Sequence, residues 1–180
     1  MNYTDEELMQ RAKAGELKCI STLFDRYHVR LYNYFFQQTR DKGQSEDLTQ
    51  NVFERIIKYR KKYREKKNFT SWIYAIARNV HMDLYRKKRF DLPGNDKVQR
   101  LAEVPNEDET IESLHDNRLK LAMAQLRQDE QQILWMTRFE KMKYAEVAEV
   151  FECSEGAIKA KVHRTMKNLK EVFFKIIVDE

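Results

Sequence analysis

Residues 144–169 read YAEVAEVFECSEGAIKAKVHRTMKNL. Val147, Ala148 and Phe151 fall three and four apart, the spacing of one face of a short helix. Glu152, Cys153 and Ser154 follow as a tight turn, with Ser154 placed to cap what comes next. From there Ile158, Val162, Thr165, Leu169, Val172 and Ile176 step by four and three, which predicts a second, longer helix. Small Ala148 lets the two helices approach. Cys153 and Ile158 are expected to fill the angle between them. This is the pattern of a helix-turn-helix, whose second helix enters a DNA major groove. Gly156, Lys159, Ala160, His163, Arg164 and Lys167 then face outward, and Lys161 adds to the basic run. Small residues admit the helix to the groove, while Lys and Arg reach guanine edges or phosphates. The amides near Glu155 and Gly156 can meet a phosphate. The alternative is an αα-hairpin with a solvated outer face. Glu152 stands where such turns commonly carry Gly, because the backbone there tends to positive φ, at a cost of about 1 kcal/mol for Glu.

The rest of the chain reads as helix too. It has 180 residues with only 4 Gly and 2 Pro, and apolar residues recur at helical spacing almost throughout, with no strand-like alternation. The expectation is an all-α protein of two small domains: residues 1–91, an acidic linker over 92–109 marked by Pro93 and Pro105, and residues 110–180 with the helix-turn-helix. The net charge of +5 is sorted along the chain. Basic residues crowd 55–67, 86–89 and the segment after Ser154. Glu103, Glu107, Asp108, Glu109, Glu112 and Asp116 lie between. Such blocks favour a polyanionic partner over plain solvated faces.

Several function classes are disfavoured. Cys19 and Cys153 form no CxxC and read as small packing residues. His28, His81, His115 and His163 are scattered, without metal spacing or an acid–base pair, so no metal, cofactor, small-molecule substrate or catalysis is expected. Asp5, Glu6 and Glu7 open the chain in place of a leader, and no apolar run nears a membrane span. A cytoplasmic protein without membrane insertion is expected.

In the first half, Thr4-Asp-Glu-Glu7 has the form of a capping box and Gly15 ends or interrupts the helix it opens. Ile20, Leu23, Phe24, Tyr27, Leu31, Tyr34 and Phe35 mark a second helix. Leu48, Val52, Ile56 and Tyr59 mark a third, with Ser45 as its cap. The fourth, FTSWIYAIARNVHMDLYRKKR over 69–89, is expected to start at a Thr70 or Ser71 cap. Its core stripe is Ile73, Ile76, Ala77, Val80 and Leu84. The opposite face carries Ala75, Arg78, Asn79, Met82, Tyr85, Arg86 and Arg89, with Trp72 and Tyr74 on its flanks. Aromatic rings can stack on unpaired bases, an Asn amide offers a donor and an acceptor to a base edge, and cations hold phosphates.

Two blocks together resemble one family. LRQDEQQILWMTRFEKMKYAEVAEVFECSEGAIKAKVHRTMKNLKE is similar to region 4 of bacterial RNA polymerase sigma factors. DLTQNVFERI, followed by NFTSWIYAIARNVHMDLYRKKR, is similar to their region 2. The absence of further domains resembles the extracytoplasmic-function type. The resemblance implies a factor that binds core RNA polymerase and promoter DNA. It implies a core-binding surface on Asp47, Leu48, Gln50, Asn51, Phe53 and Glu54. It implies −35 duplex recognition by the helix capped by Ser154. It also implies recognition of the unpaired −10 strand by Lys66, Lys67, Asn68, Phe69, Trp72, Arg78, Asn79, Met82, Arg86 and Lys87. Many members have an anti-sigma factor, so one is a candidate partner. The chain departs from the pattern at Arg127, where Pro is frequent, at Lys141 and Lys143, where Gly and Ser are common, and at Ala160, often Ser. Two rival readings stand beside it: a conventional helix-turn-helix regulator binding DNA as a dimer, and a nucleic-acid-processing enzyme, for which a carboxylate cluster is lacking.

Overall fold

A computed structural model describes residues 3–65, 67–91 and 111–178. Among them every regular element is helical: α1 (Asp5–Ala14), α2 (Lys18–Thr39), α3 (Lys42–Tyr59), α4 (Phe69–Asp91), α5 (Ile111–Ala124), α6 (Gln128–Leu134), α7 (Tyr144–Phe151) and α8 (Glu155–Val178). A short 3-10 turn, Arg60–Lys62, follows α3, and a π turn, Trp135–Phe139, follows α6. The chain divides into two compact units, Met1–Lys97 with Glu149–Glu152, and Val98–Ala148 with Cys153–Glu180. The segment read as a linker, 92–109, lies outside the described residues.

In the first unit α2 packs on α1 and α3, and α3 packs on α4. Its centre is aromatic. Tyr27, Tyr34, Phe35, Tyr63, Phe69 and Tyr74 are all buried beside Leu23, Leu31, Ile56 and Ile73. Edge-on rings fit this crowded space, as at Tyr34–Tyr74 (5.5 Å, 83°) and Tyr27–Phe69 (5.3 Å, 76°), the geometry the ring quadrupoles favour. The expected capping box at Thr4 is present: the Glu7 amide donates to Thr4 Oγ1 (3.2 Å) and the Thr4 amide to Glu7 Oε2 (2.7 Å). Gly15 ends α1 at φ 118°, open to Gly without strain.

Several local expectations are corrected. Asp41, not Ser45, caps α3, accepting from the Gln44 amide at 2.9 Å; Ser45 is buried inside the helix, its hydroxyl donating to the Asp41 carbonyl. Gly43 falls in the first turn, where it does not break the helix. Asn68, not Thr70 or Ser71, caps α4 by accepting from the Ser71 amide at 3.0 Å. Phe24 and Tyr59, assigned to core stripes, are 42% and 36% exposed. Phe24 instead stacks on His28 (4.8 Å) at the surface. Tyr74 is fully buried, and so is His81, because α4 has neighbours on more than one side and its core face is wider than one stripe.

Burial has a consequence at high pH. Tyr27, Tyr34 and Tyr63 hold their protons above the ordinary phenol value of 10.0, in each case chiefly because burial penalises the anion. The hydrogen bond to Asp5 adds to this at Tyr27. The charges of Glu6 and Asp5 add to it at Tyr63. Above pH ~10 the unfolded chain ionises these phenols and the folded chain does not, so the unfolded state binds fewer protons and stability falls as pH rises. Helical circular dichroism is expected to collapse as pH climbs past about 10, and Tyr34→Phe should move that collapse to higher pH.

In the second unit α5 and α6 pack on α8. Ile133, Leu134, Met136, Ile158 and Val162 are buried, with Ala122 and Leu126 from the α5 end. The Arg127 amide donates to Glu130 Oε2 (3.0 Å), so the N3 carboxylate serves the start of α6 without the frequent Pro. Two residues after elements here adopt left-handed backbone: Lys141 (φ 53°) and Glu152 (φ 52°). Both are positions where the sequence carries a side chain in place of Gly. Glu152→Gly is expected to stabilise the helix-turn-helix by about 0.5–1 kcal/mol, relief of the left-handed cost less the added unfolded-chain entropy. Trp135 reports on this unit and Trp72 on the other, so urea unfolding in a Trp72→Phe background measures it.

Candidate nucleic-acid interface

The helix-turn-helix is formed by α7, the turn 152–154 and α8. Val147, Ala148 and Val150 are buried on α7, Ile158, Val162 and Thr165 on α8. The Cys153 amide donates to the Ala148 carbonyl (3.1 Å), which closes the turn. The Cys153 side chain is exposed, not packed between the helices as expected. Ser154 caps α8 as expected, its Oγ accepting from the Ala157 amide at 3.2 Å. The amides of Glu155 and Gly156 precede that bond and have no acceptor within the helix.

The outer face of α8 is open. Glu155, Gly156, Lys159, Ala160, His163, Arg164 and Lys167 are exposed. A Cβ placed on Gly156 would meet nothing within 4 Å, so nothing inside the chain requires glycine there. Lys159 pairs with Glu155 one turn back (2.9 Å), an exposed pair of small worth that leaves the ammonium available. Lys161 stands apart: it is half-buried, with Nζ 3.3 Å from Asp129 Oδ2 on α6. It ties two helices of the unit together. His163 and Lys167, with Met166, Leu169, Lys170 and Phe173, line a groove of about 670 Å³ against Leu119 of α5. The basic outer face therefore has two parts, an open N-terminal half and a C-terminal half bordering that groove.

On α4 four of the expected side chains share one stripe. Trp72, Asn79, Met82 and Arg86 recur at spacings of three, four and seven. Asn79, Met82 and Arg86 are exposed and Trp72 half-buried. Trp72 leans on Tyr63 (5.1 Å, 63°) and Phe69 (6.1 Å) and keeps part of its ring accessible. Phe69, expected at the strand surface, is fully buried and instead supports Trp72 from beneath. Lys67 is exposed and Asn68 is occupied as the cap. Arg78 is half-buried, about 100° round the helix from Asn79. Lys66 and the Lys87 side chain lie outside the described residues. A residue the sequence reading passed over is Asp83, which joins Arg55 of α3 (2.9 Å) to Arg86 (3.8 Å) and so orients a cation of the stripe. The Asp83–Arg86 spacing of three was a visible signal; the tertiary Arg55 contact was not.

On α3, Asp47, Gln50 and Glu54 are exposed and Asn51 half-buried, while Leu48 and Phe53 are only 7% and 6% exposed. The polar members form the available surface and the two apolar ones carry it. Gln50 donates to Glu54 (3.2 Å), and Asn51 accepts from Arg55 (2.9 Å). Among the described residues no cluster of three His, Cys, Asp or Glu could hold a metal ion, and no helix is long and apolar enough to cross a membrane.

Two family models match these two surfaces in turn: sigma-70 region 2 over residues 23–90 and sigma-70 region 4 over residues 116–169. The chain belongs to the sigma-70 family. Similar curated proteins place it in the extracytoplasmic-function group. The ECF RNA polymerase sigma factor BldN of Streptomyces coelicolor is 30% identical over 91% of this chain and 63% of its own length. SigX of Bacillus subtilis, another ECF sigma factor, is 28% identical over 83% of this chain and 80% of its own. Among solved structures, CnrH in complex with the cytosolic domain of CnrY covers 95% of this chain and 97% of that one with a TM-score of 0.73. The sigma factor RpoE of Bartonella quintana, in complex with the anti-sigma factor NepR, covers 84% and 94% with a TM-score of 0.65. Both are 18% identical and show the fold. The sigma-factor reading thereby stands over the conventional dimeric regulator: as a sigma factor this chain serves promoter-specific initiation with core RNA polymerase.

Proposed function

We propose that the exposed N-terminal half of α8 reads the −35 element as duplex, and that the Trp72–Asn79–Met82–Arg86 stripe of α4 reads the unpaired −10 strand. The observation that carries this is the stripe itself. Along it one aromatic ring, one amide, one thioether and one guanidinium share a face, with Asn79, Met82 and Arg86 exposed and the Trp72 ring half-open above Tyr63 and Phe69. It matches what a single strand offers: faces to stack on, edges to pair and phosphates to neutralise. On α8, Lys159 and Arg164 supply the base-edge or phosphate contacts, and Gly156 with Ala160 keeps the helix thin enough to sit deep. The Glu155 and Gly156 amides meet a phosphate at the helix start.

The exposed Asp47, Gln50 and Glu54 on α3 form the core-polymerase surface, with Asn51 beside them. The domains run 1–91 and 110–180, joined by 92–109. The chain supplies recognition and leaves chemistry to the polymerase. It works in the cytoplasm, and an anti-sigma factor is a fitting partner, as NepR is for the neighbour RpoE. Run-off transcription with core polymerase on genomic templates, followed by sequencing of the transcripts, tests the reading. Promoter-specific starts that share −10 and −35 elements are expected. Their absence on every template would overturn it.

A further inference from the structure

Two side chains of α1 reach across the first unit to the segment that leads into α4, and a third reaches α2. Glu6 Oε1 accepts from the Phe69 backbone amide at 2.9 Å, capping the first residue of α4 from another helix. Lys13 Nζ donates to the Tyr63 carbonyl at 2.8 Å, where the chain leaves the 3-10 turn. Asp5 accepts from the Tyr27 hydroxyl (2.5 Å) and pairs with Arg26 (2.5 Å). The same Tyr27 hydroxyl lies 3.0 Å from Thr70 Oγ1. The Tyr63 hydroxyl in turn donates to the Lys67 carbonyl at 2.5 Å.

These contacts grip both ends of the connection from Tyr63 to Phe69. They also fix two of its rings. Tyr63 and Phe69 are both buried and pack edge-on (6.2 Å, 70°), and Trp72 rests on both. The stacking face of Trp72 is thus set by rings whose backbones α1 holds. A charged carboxylate on a helix-start amide is a strong, directional bond. An ammonium on a carbonyl is also charge-assisted. Neither bond is needed to form α1 itself, whose own capping box uses Thr4 and Glu7.

We infer that Glu6 and Lys13 of α1 are positioning residues for reading of the unpaired −10 strand, acting through the Tyr63–Phe69 connection and Trp72. They touch no base. Their effect is to keep Trp72 pre-oriented, so that the strand does not have to order the connection when it binds. The inference rests on the assignment of the −10 strand to the α4 stripe.

The test uses the full chain bound to core polymerase and two probes from one promoter found by run-off transcription. One is a fluorescent single-stranded oligonucleotide of its −10 non-template strand, the other its −35 duplex. Glu6→Ala and Lys13→Met are expected to weaken strand binding about fivefold, a fraction of one base–aromatic stack. Duplex binding and core affinity should stay within experimental error. Glu6→Gln, which keeps an acceptor for the Phe69 amide, and Lys13→Arg, which keeps a donor, should restore most of the strand affinity. A merely structural role predicts equal losses for strand and duplex, or a loss that follows the thermal unfolding midpoint, and either result overturns the inference. Wild-type strand binding by all four variants while Trp72→Ala loses it would also overturn the inference and leave the strand assignment intact. Wild-type strand binding by Trp72→Ala and Asn79→Ala as well would remove the strand assignment itself. If Glu6→Ala fails to fold, the Lys13 pair decides alone.

Discussion

Replacing Lys159 and Arg164 together with Ala is expected to cut transcription from −35-dependent promoters by about ten- to a hundredfold, the loss of a base-edge contact and a phosphate contact. Both side chains are exposed on the open half of α8. Removing them leaves no buried partner unsatisfied. The one pair lost among the described residues, Lys159 with Glu155, is exposed and contributes little to stability. Core affinity should therefore remain unchanged, since the proposed core surface is on α3. The dependence of promoter binding on salt should also flatten, by about one unit of log–log slope for each phosphate contact removed. Unchanged transcription in the double variant would show that α8 is not the recognition helix. Lys161→Ala is a useful contrast: its bond to Asp129 makes it a link within the unit, so its loss should act on stability before it acts on DNA.

The second large effect is expected on the unpaired strand. Asn79→Ala removes an exposed amide and should leave folding untouched, while opening of the −10 region falls. Trp72→Ala removes a stacking platform worth about 1–3 kcal/mol per base, or five- to a hundredfold in strand affinity. It also removes contacts to Tyr63 and Phe69, so its unfolding midpoint must be measured beside it. Permanganate reactivity of −10 thymines reads the opening, and retention on −35 duplex reads capture. Reduced reactivity with retained capture is the expected pair of results. Footprints of wild-type extent in both variants would contradict the assignment of the strand to α4.

Much of the molecule was legible because it rests on short-range rules. The capping box at Thr4, the stop at Gly15, the cap at Ser154 and the left-handed backbone at Glu152 are each decided within four residues. The buried face of α8 followed from spacing alone at Ile158, Val162 and Thr165. The errors on the faces of α2 and α4 share one cause. Periodicity places a residue on a helix face but does not say how many neighbours that helix has. Tyr74 and His81 are buried because α4 is covered over more than one stripe, and Phe24 is exposed because α2 is not covered where its own pattern reaches. Cys153 looked like a plug and lies outside because a tight turn projects from the surface.

The sequence by itself determined that this chain is helical, that it carries a helix-turn-helix after a basic-aromatic helix, and which side chains face out on α8. Those properties are local, set by 3.6-residue periodicity, caps and charge. Only the tertiary structure decided how the outward residues are held. It turned Lys161 toward Asp129, set Phe69 beneath Trp72, and joined Arg55 to Asp83. It also gave Glu6 a partner 63 residues away. In the sequence, Thr4-Asp-Glu-Glu7 is one capping signal. In the fold its first and last residues cap α1, while Asp5 and Glu6 hold Tyr27 and the start of α4. That division depends on which helix lies alongside, and no spacing within α1 encodes it.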